Sequence, residues 1–450
     1  PEVRRHQIAT SDFLTKYNRA FCFNDIGTGK TLSLLWAADF LMKIGMVRRV
    51  LILSTLSTLW NIWDDEIFMT LPYRKSIVLH GPKQQRINYL NADRDFYILN
   101  HDGVKVLWQE LIKREDIDLI IVDEGAEFSN SRTSKWSALD TIIGIAENRN
   151  KLVWWATGSP MPNAPTDAWG QARLVNPSTV PKFFTHFRNQ VMAKDQNGIY
   201  RPMKGWEEFV FNAIQPSIRF VRDECIDIPP CVTEERKVPM SKDQGEAYKE
   251  LETEYVLEIG DGKITAVNEG VKLGKLLQIA SGAIYDKDKF THYIKCKPKL
   301  QALMDCVKEA GGKAIIFAPF THSIFLLERL LEKDYNVRIV YSKITPKQRT
   351  VIYRDFKNGL VDIIIAHPRC MAHGLNLTES HVVIWWSPID SFRIYEQANG
   401  RITRDGQTVP QTIFRLVCSK VESMVYKRID RKEKMQGIIL ELLRNGVEEL

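Results

Sequence analysis

No run in this 450-residue chain is long and apolar enough to span a bilayer, and no signal-peptide pattern opens it. The chain starts at Pro1 rather than Met, which leaves a preceding extension open. Cysteine is sparse. The seven copies (Cys22, Cys225, Cys231, Cys296, Cys306, Cys370, Cys418) form no Cys-x-x-Cys pair, and the nine histidines show no ligand spacing. This argues against a zinc module and for reduced thiols in a cytoplasm-like compartment. Short-period repeats and low-complexity tracts are also missing, which excludes a solenoid or a linker-rich protein. Neither charge sign dominates: 62 Lys and Arg against 55 Asp and Glu leave +7, which suits a polyanion partner without identifying one. What remains is an ordinary globular composition, long enough for two or three domains.

Apolar runs at 20–23, 50–53, 96–99, 119–122 and 152–156 alternate with amphipathic stretches, and Pro160 and Pro162 close the rhythm. Such runs predict buried parallel strands with helices on both faces. Residues 166–285 instead hold aromatic-rich helical stretches (182–192, 206–213, 244–259), a Pro229-Pro230 break and the loop 260–262. The α/β rhythm returns at 314–318, 337–341, 363–366, 382–386 and 412–417, and 421–444 read as one or two closing helices. The expected fold is α/β: a first domain over 1–165, a mainly helical insertion and linker over 166–290, and a second α/β domain over 291–450. Most tryptophans (Trp60, Trp63, Trp136, Trp154, Trp155, Trp169, Trp206, Trp385, Trp386) lie in apolar runs and are expected in cores rather than stacked on bases.

The first strand leads into Asp25-Ile26-Gly27-Thr28-Gly29-Lys30-Thr31 and then a helical run. Strand, glycine-rich turn, Lys-Thr and helix make a phosphate-binding loop. Gly27, Thr28 and Gly29 let main-chain N–H groups turn toward phosphates at a helix N-terminus. Lys30 reaches the outer phosphates of ATP, and Thr31 offers a hydroxyl to Mg²⁺. The generic loop has a further glycine where this chain has Asn24, a residue tolerant of unusual backbone angles. The fourth apolar run ends in Asp123-Glu124, at the carboxyl end of a strand where ligands bind. Asp123 is the candidate magnesium ligand, and Glu124 the candidate base for the attacking water.

These segments, followed by Ala156-Thr157-Gly158-Ser159-Pro160 and by Gln397-Ala398-Asn399-Gly400-Arg401-Ile402-Thr403-Arg404, occur in an order that resembles superfamily-two helicases and translocases. The likeness covers nearly the whole chain. It is most similar to the Swi2/Snf2-like branch, including phage members, because His373-Gly374-Leu375-Asn376-Leu377-Thr378 resembles that branch's Gly-x-Asn-Leu-Thr segment. Arg4-Arg5-His6-Gln7 is similar to the motif whose glutamine reads adenine, and Ser54-Thr55-Leu56-Ser57 to the first strand-contacting motif. The resemblance implies two RecA-like domains, ATP and Mg²⁺ as cofactors, and a nucleotide site that adds Gln7, Gly374 and Gln397. It also implies that Arg401 and Arg404 reach into the ATP held by the first domain. Three apart, they are expected on one helix face, and arginine suits a finger because its charge is permanent and its donors form a fixed fork. Closure on ATP and release on hydrolysis would then drive stepping.

By motif position, Ser54, Thr55, Asn100, Arg349, His367, Arg369 and Thr378 are candidate nucleic acid contacts. The branch usually follows Asp-Glu with Ala-His or Ala-Asp, whereas this chain has Gly125-Ala126, so coupling is expected to run through other residues. Asn130 is kept where the branch has Lys-Asn. The resemblance implies a DNA motor, monomeric or weakly self-associating, without a membrane partner. Remodelling of forked or branched DNA is the favoured output, since no bromodomain, SANT-like or nuclease motif is visible. A duplex translocase that strips bound proteins, a scaffold with a decayed ATPase, and RNA as the track stay open.

Overall fold

The computed structural model describes residues 3–144, 151–225, 227–254, 256–259, 262–265, 269–286, 288, 290–371, 377–404 and 406–445. They fall into two compact units, Pro1–Asp227 with Lys432–Leu450, and Ile228–Arg431.

The first unit is built on a seven-stranded sheet. In chain order its strands are β1 (Arg19–Cys22), β2 (Arg49–Ser54), β3 (Ser76–Val78), β4 (Phe96–Asn100), β5 (Ile117–Asp123), β6 (Leu152–Ala156) and β7 (Ser217–Ile218). Their spatial order is β3-β4-β2-β5-β6-β1-β7, with every pairing parallel. Side chains of a strand alternate between faces, and here both faces are dry. Leu51, Leu53, Ile120, Val122 and Trp155 pack in one core, and Val50, Ile52, Leu119, Ile121 and Trp154 in another. This double burial is why these strands read as unbroken apolar runs. The helices Phe184–Val191 and Trp206–Ala213 bury Phe187, Trp206 and Val210 in the first of these cores.

The second unit has a six-stranded parallel sheet of β8 (Cys231–Lys237), β9 (Ala314–Phe317), β10 (Val337–Val340), β11 (Ile363–Ala366), β12 (Val382–Trp385) and β13 (Gln411–Val417). The order is β8-β13-β12-β9-β11-β10. Residues such as Phe317 and Trp385 pack on one face, and Ile316 and Ile384 on the other. Each unit is thus a parallel sheet covered by helices, the RecA-like architecture that the sequence implied.

Three details differ from expectation. The stretch 244–259 is a helix only over Lys242–Glu254; Val256–Ile259, rich in β-branched and aliphatic residues, instead pairs antiparallel with Gly262–Thr265. Strands β3, β7 and β8 were not anticipated, the first two being very short and the last a charged, exposed edge. The closing segment is one helix, Lys420–Asn445, whose later residues Ile439 and Leu443 belong to the first unit's core. Most tryptophans are core as expected, Trp63, Trp154, Trp155, Trp385 and Trp386 being fully buried, while Trp60 is exposed. Among the described residues, no helix is long and apolar enough to cross a membrane.

Candidate functional site

Parallel pairing brings strand ends into one row. Cys22 pairs with Ala156, Ala156 with Asp123, and Ser54 with Asn100, while Ser54 lies one step past the Leu53–Val122 pair. The carboxyl ends of five adjacent strands therefore carry Asn100, Ser54, Asp123, Ala156 and Cys22 in that order. The phosphate loop leaves β1 two residues beyond Cys22. Burial pushes the Cys22 thiol up to about 11, while the charge of Lys30 pulls against it and that of Asp123 adds to it. Both groups thus lie near the end of this strand.

The loop is held mostly by distant residues. Gly29 sits in the left-handed region (φ 78°) as N-cap of the helix Lys30–Lys43, and Gly27 has φ 91°. A Cβ on Gly29 would come within 2.1 Å of Gln7 Nε2, so glycine is required there for space as well as for angle. Gln7 Oε1 accepts from the Arg4 N–H at 3.1 Å, and His6 Nε2 donates to the Thr28 carbonyl at 2.8 Å. Lys30 Nζ donates to the carbonyls of Asn24 (2.8 Å) and Asp25 (3.0 Å). Arg219, buried, pairs with Asp25 at 2.8 Å and donates to the Phe23 carbonyl at 2.7 Å.

Asn24 has no left-handed backbone, contrary to the expectation that it serves through backbone tolerance. Its side chain is the reason for its presence. Buried at 1% exposure, it donates to Thr10 Oγ1 (2.8 Å) and accepts from the Phe220 N–H (2.9 Å), tying the loop to the first helix and to the segment after β7.

Asp123 uses both oxygens. Oδ2 accepts from Ser54 Oγ (2.8 Å) and Trp63 Nε1 (3.0 Å), and Oδ1 accepts from the Glu124 N–H (3.0 Å). Glu124 has φ 52°, the one positive value among the described non-glycine residues. Such a conformation costs about 1 kcal/mol and persists where surroundings over-determine it. Gly125 then packs under Trp155, whose indole Nε1 would lie 2.0 Å from an added Cβ. That indole is pinned by Gln171 Oε1 at 2.9 Å, so the departure from Asp-Glu-Ala has a steric cause. Beside it His101, buried, donates from Nε2 to the Asp123 carbonyl at 2.8 Å. Burial lowers its pKa. Thr10, Trp63, His101, Arg219 and Gln171 were not read as site residues, because each reaches the site from far along the chain.

The chemistry of the two candidate donors is of the kind that would hold magnesium. Thr31 supplies a hydroxyl and Asp123 a carboxylate, and no cluster of three or more acidic, His or Cys ligands occurs among the described residues. Mg²⁺ binds in just this way, through one or two protein oxygens plus substrate phosphates and water.

In the second unit the helix Phe392–Asn399 stops before the arginines, so Arg401 and Arg404 do not share a helix face. Arg401 is buried, its Nε on the Gln397 carbonyl at 2.9 Å; Arg404 is half-buried, its Nε on the Gly400 carbonyl at 2.9 Å. Gln397 is buried as well. Gly374, with 373 and 375–376 of its motif, lies outside the described residues.

The candidate track residues are unequal. Ser54 is fully buried and turned to Asp123, so its hydroxyl is closed to the surface. Arg349 places three of its five N–H donors on the carbonyls of Ile344, Tyr341 and Cys370. Asn100 accepts from Arg86 at 3.2 Å. Thr55 and Thr378 are half-buried, Arg369 is exposed, and burial beside Arg369 lowers the pKa of His367.

The SNF2-related domain family matches residues 6–292, and the helicase conserved C-terminal domain matches residues 298–406. Protein p41 of Acyrthosiphon pisum secondary endosymbiont phage 1 is 25% identical over 98% of both chains. An uncharacterised ATP-dependent helicase of Mycoplasma genitalium is 21% identical over 92% of this chain, and the ISWI chromatin-remodelling complex ATPase of Saccharomyces cerevisiae is 23% identical over 93%. The chain spans 39% of each of those two longer proteins. The Sulfolobus solfataricus SWI2/SNF2 ATPase core in complex with double-stranded DNA covers this chain fully, at 20% identity, 96% of its own length and a TM-score of 0.45. The chain belongs to the SNF2-related family of superfamily-two helicases and translocases, enzymes that hydrolyse ATP to move on nucleic acid.

Proposed function

We propose that this chain is an ATP- and Mg²⁺-dependent DNA motor that remodels forked or branched DNA by branch migration and limited unwinding. The observation that carries the motor reading is the row of strand ends: Asp123 and the phosphate loop share one sheet edge with Ser54 and Asn100, and Ser54 is bonded to Asp123. Lys30 and the loop N–H groups hold the phosphates, Thr31 and Asp123 hold magnesium, and Gln7 lies against Gly29 where a base edge is read. When bound, the ion neutralises phosphate charge. Glu124 positions and deprotonates the attacking water. Arg404, the less buried arginine, serves as the finger, and Arg401 with Gln397 holds its segment.

Likeness over 98% of both chains to a phage protein supports the branched-DNA output, since phage chromosomes pass through forks and junctions as they replicate and recombine. The chromatin-remodelling relatives favour a second output, duplex translocation that displaces bound proteins. The test compares ATP hydrolysis with single-stranded, duplex, forked and four-way DNA and with RNA. Strongest stimulation by forked or four-way DNA, with movement of a protein-free junction, supports the first reading. Equal stimulation by linear duplex, with clearance of a bound protein and no junction movement, supports the second.

A further inference from the structure

The stretch from the end of β2 to the next helix sends two side chains, Ser54 and Trp63, to Asp123. Ser54 closes β2, and residues Leu59–Asp64 form a π-helical turn in which the Trp63 N–H donates to the Thr58 carbonyl at 3.1 Å. A π turn accommodates one more residue than an α turn and is frequent at functional sites. Here it leaves Leu59 and Trp63 fully buried while Trp60 is exposed, edge-on to His80 at 5.0 Å. The buried indole points at Asp123 Oδ2 (3.0 Å), the oxygen that also takes the Ser54 hydroxyl (2.8 Å). Ser54 Oγ in turn meets Thr58 Oγ1 at 2.8 Å, and Thr58 Oγ1 meets Thr55 Oγ1 at 3.1 Å.

We infer that Trp63 is a positioning residue for the Asp123 carboxylate, and that its turn couples the magnesium-binding oxygen to the segment 54–63. An indole N–H is a donor without acceptor capacity, so this bond has one polarity. With Oδ2 held by two donors and Oδ1 by the Glu124 N–H, the carboxylate has one orientation, in which Oδ1 would keep a lone pair for a bound cation. Both donors on Oδ2 come from one ten-residue stretch, so a shift of that stretch turns the carboxylate, and a pull on the carboxylate shifts the stretch. Thermodynamic linkage makes such a coupling reciprocal. That the stretch feels DNA rests on the motor reading above; the positioning of Asp123 does not.

The test uses the full chain and the binding of a fluorescent, non-hydrolysable ATP analogue across a Mg²⁺ titration, with and without forked DNA, beside thermal melting. Trp63→Phe keeps the ring and loses the donor; Ser54→Ala loses the hydroxyl and Ser54→Thr retains it. The half-saturating Mg²⁺ concentration should rise about fivefold in Trp63→Phe and in Ser54→Ala, the loss of one charge-assisted hydrogen bond. Binding in excess chelator should be unchanged, Ser54→Thr should behave as wild type, and the effect of DNA on analogue binding should shrink in the first two variants. An unaltered Mg²⁺ dependence in Trp63→Phe would overturn the assignment, as would equal weakening with and without Mg²⁺ accompanied by a lower melting temperature. If Trp63→Phe does not fold, the Ser54 pair decides alone. A wild type whose nucleotide binding ignores DNA would defeat the motor reading, and the Mg²⁺ arm would still decide the role of Trp63.

Discussion

The phosphate loop of the first unit and the arginine segment of the second are both short turns beside a helix, but they are held differently. The loop is clamped by side chains from far along the sequence. Asn24 bonds Thr10 and the Phe220 N–H across separations of 14 and 196 residues, and Arg219 grips Asp25 and Phe23. Arg401 and Arg404 each place Nε on the carbonyl four residues back, a bond within their own turn. A loop clamped from distant parts of the chain is pre-organised to bind. The difference suits two proposed roles: a pre-organised loop that binds nucleotide, and an arginine of the second unit that adds to the turnover begun by Glu124 of the first.

The largest effect should come from separating binding from chemistry within the first unit. Glu124→Gln keeps shape but cannot accept the proton of water, so turnover should fall about 10²–10⁴-fold. ATP binding should persist, since the amide keeps the size and shape of the side chain. Equilibrium nucleotide binding and single-turnover hydrolysis check both halves, and lost binding would make Glu124 a structural residue.

The second unit carries a separate acid-sensitive core. His322, 2% exposed between Ser281, Tyr285 and Phe320, is pushed down from 6.5 to about 4 by burial and by the nearby charge of Lys275. Unfolded, it would take up a proton near 6.5; folded, it resists to about 4. Its contribution to stability is therefore complete above about 6.5 and is lost as pH falls through that window, amounting to about 3 kcal/mol. Urea midpoints between pH 7 and 4 should drop more steeply in wild type than in His322→Gln. Parallel slopes would remove His322 as the cause.

A smaller effect tests the clamp itself. Restoring the generic glycine, Asn24→Gly, should destabilise the chain by about 2 kcal/mol, because the Phe220 N–H loses its buried acceptor and the loop gains freedom. Thermal or urea unfolding measures this. A neutral or stabilised variant would show that the clamp adds nothing.

Legibility followed range. The central strands were readable because double burial leaves apolar runs at Val50–Leu53 or Ile363–Ala366 that no polar residue interrupts. Strand β8 was not, since Thr-Glu-Glu-Arg-Lys on an exposed edge lacks the alternation that marks a half-buried strand. Within the site, Lys30, Thr31, Asp123 and Glu124 were readable because a phosphate loop and a strand end are local patterns. The clamps were not. Asn24 and Gly125 looked like defects until Phe220 and Trp155 explained them, and Trp63 lies 60 residues from Asp123. Arg401 and Arg404 were readable as residue types; their burial depends on a helix that ends at Asn399.

The division of labour is tested most directly by Arg404→Ala, with steady-state hydrolysis on forked DNA measured beside equilibrium ATP binding without DNA. The account predicts hydrolysis reduced about 10³-fold or more, the scale of a lost arginine finger, with ATP affinity unchanged. Unchanged hydrolysis, or a loss of ATP binding without DNA, would contradict it.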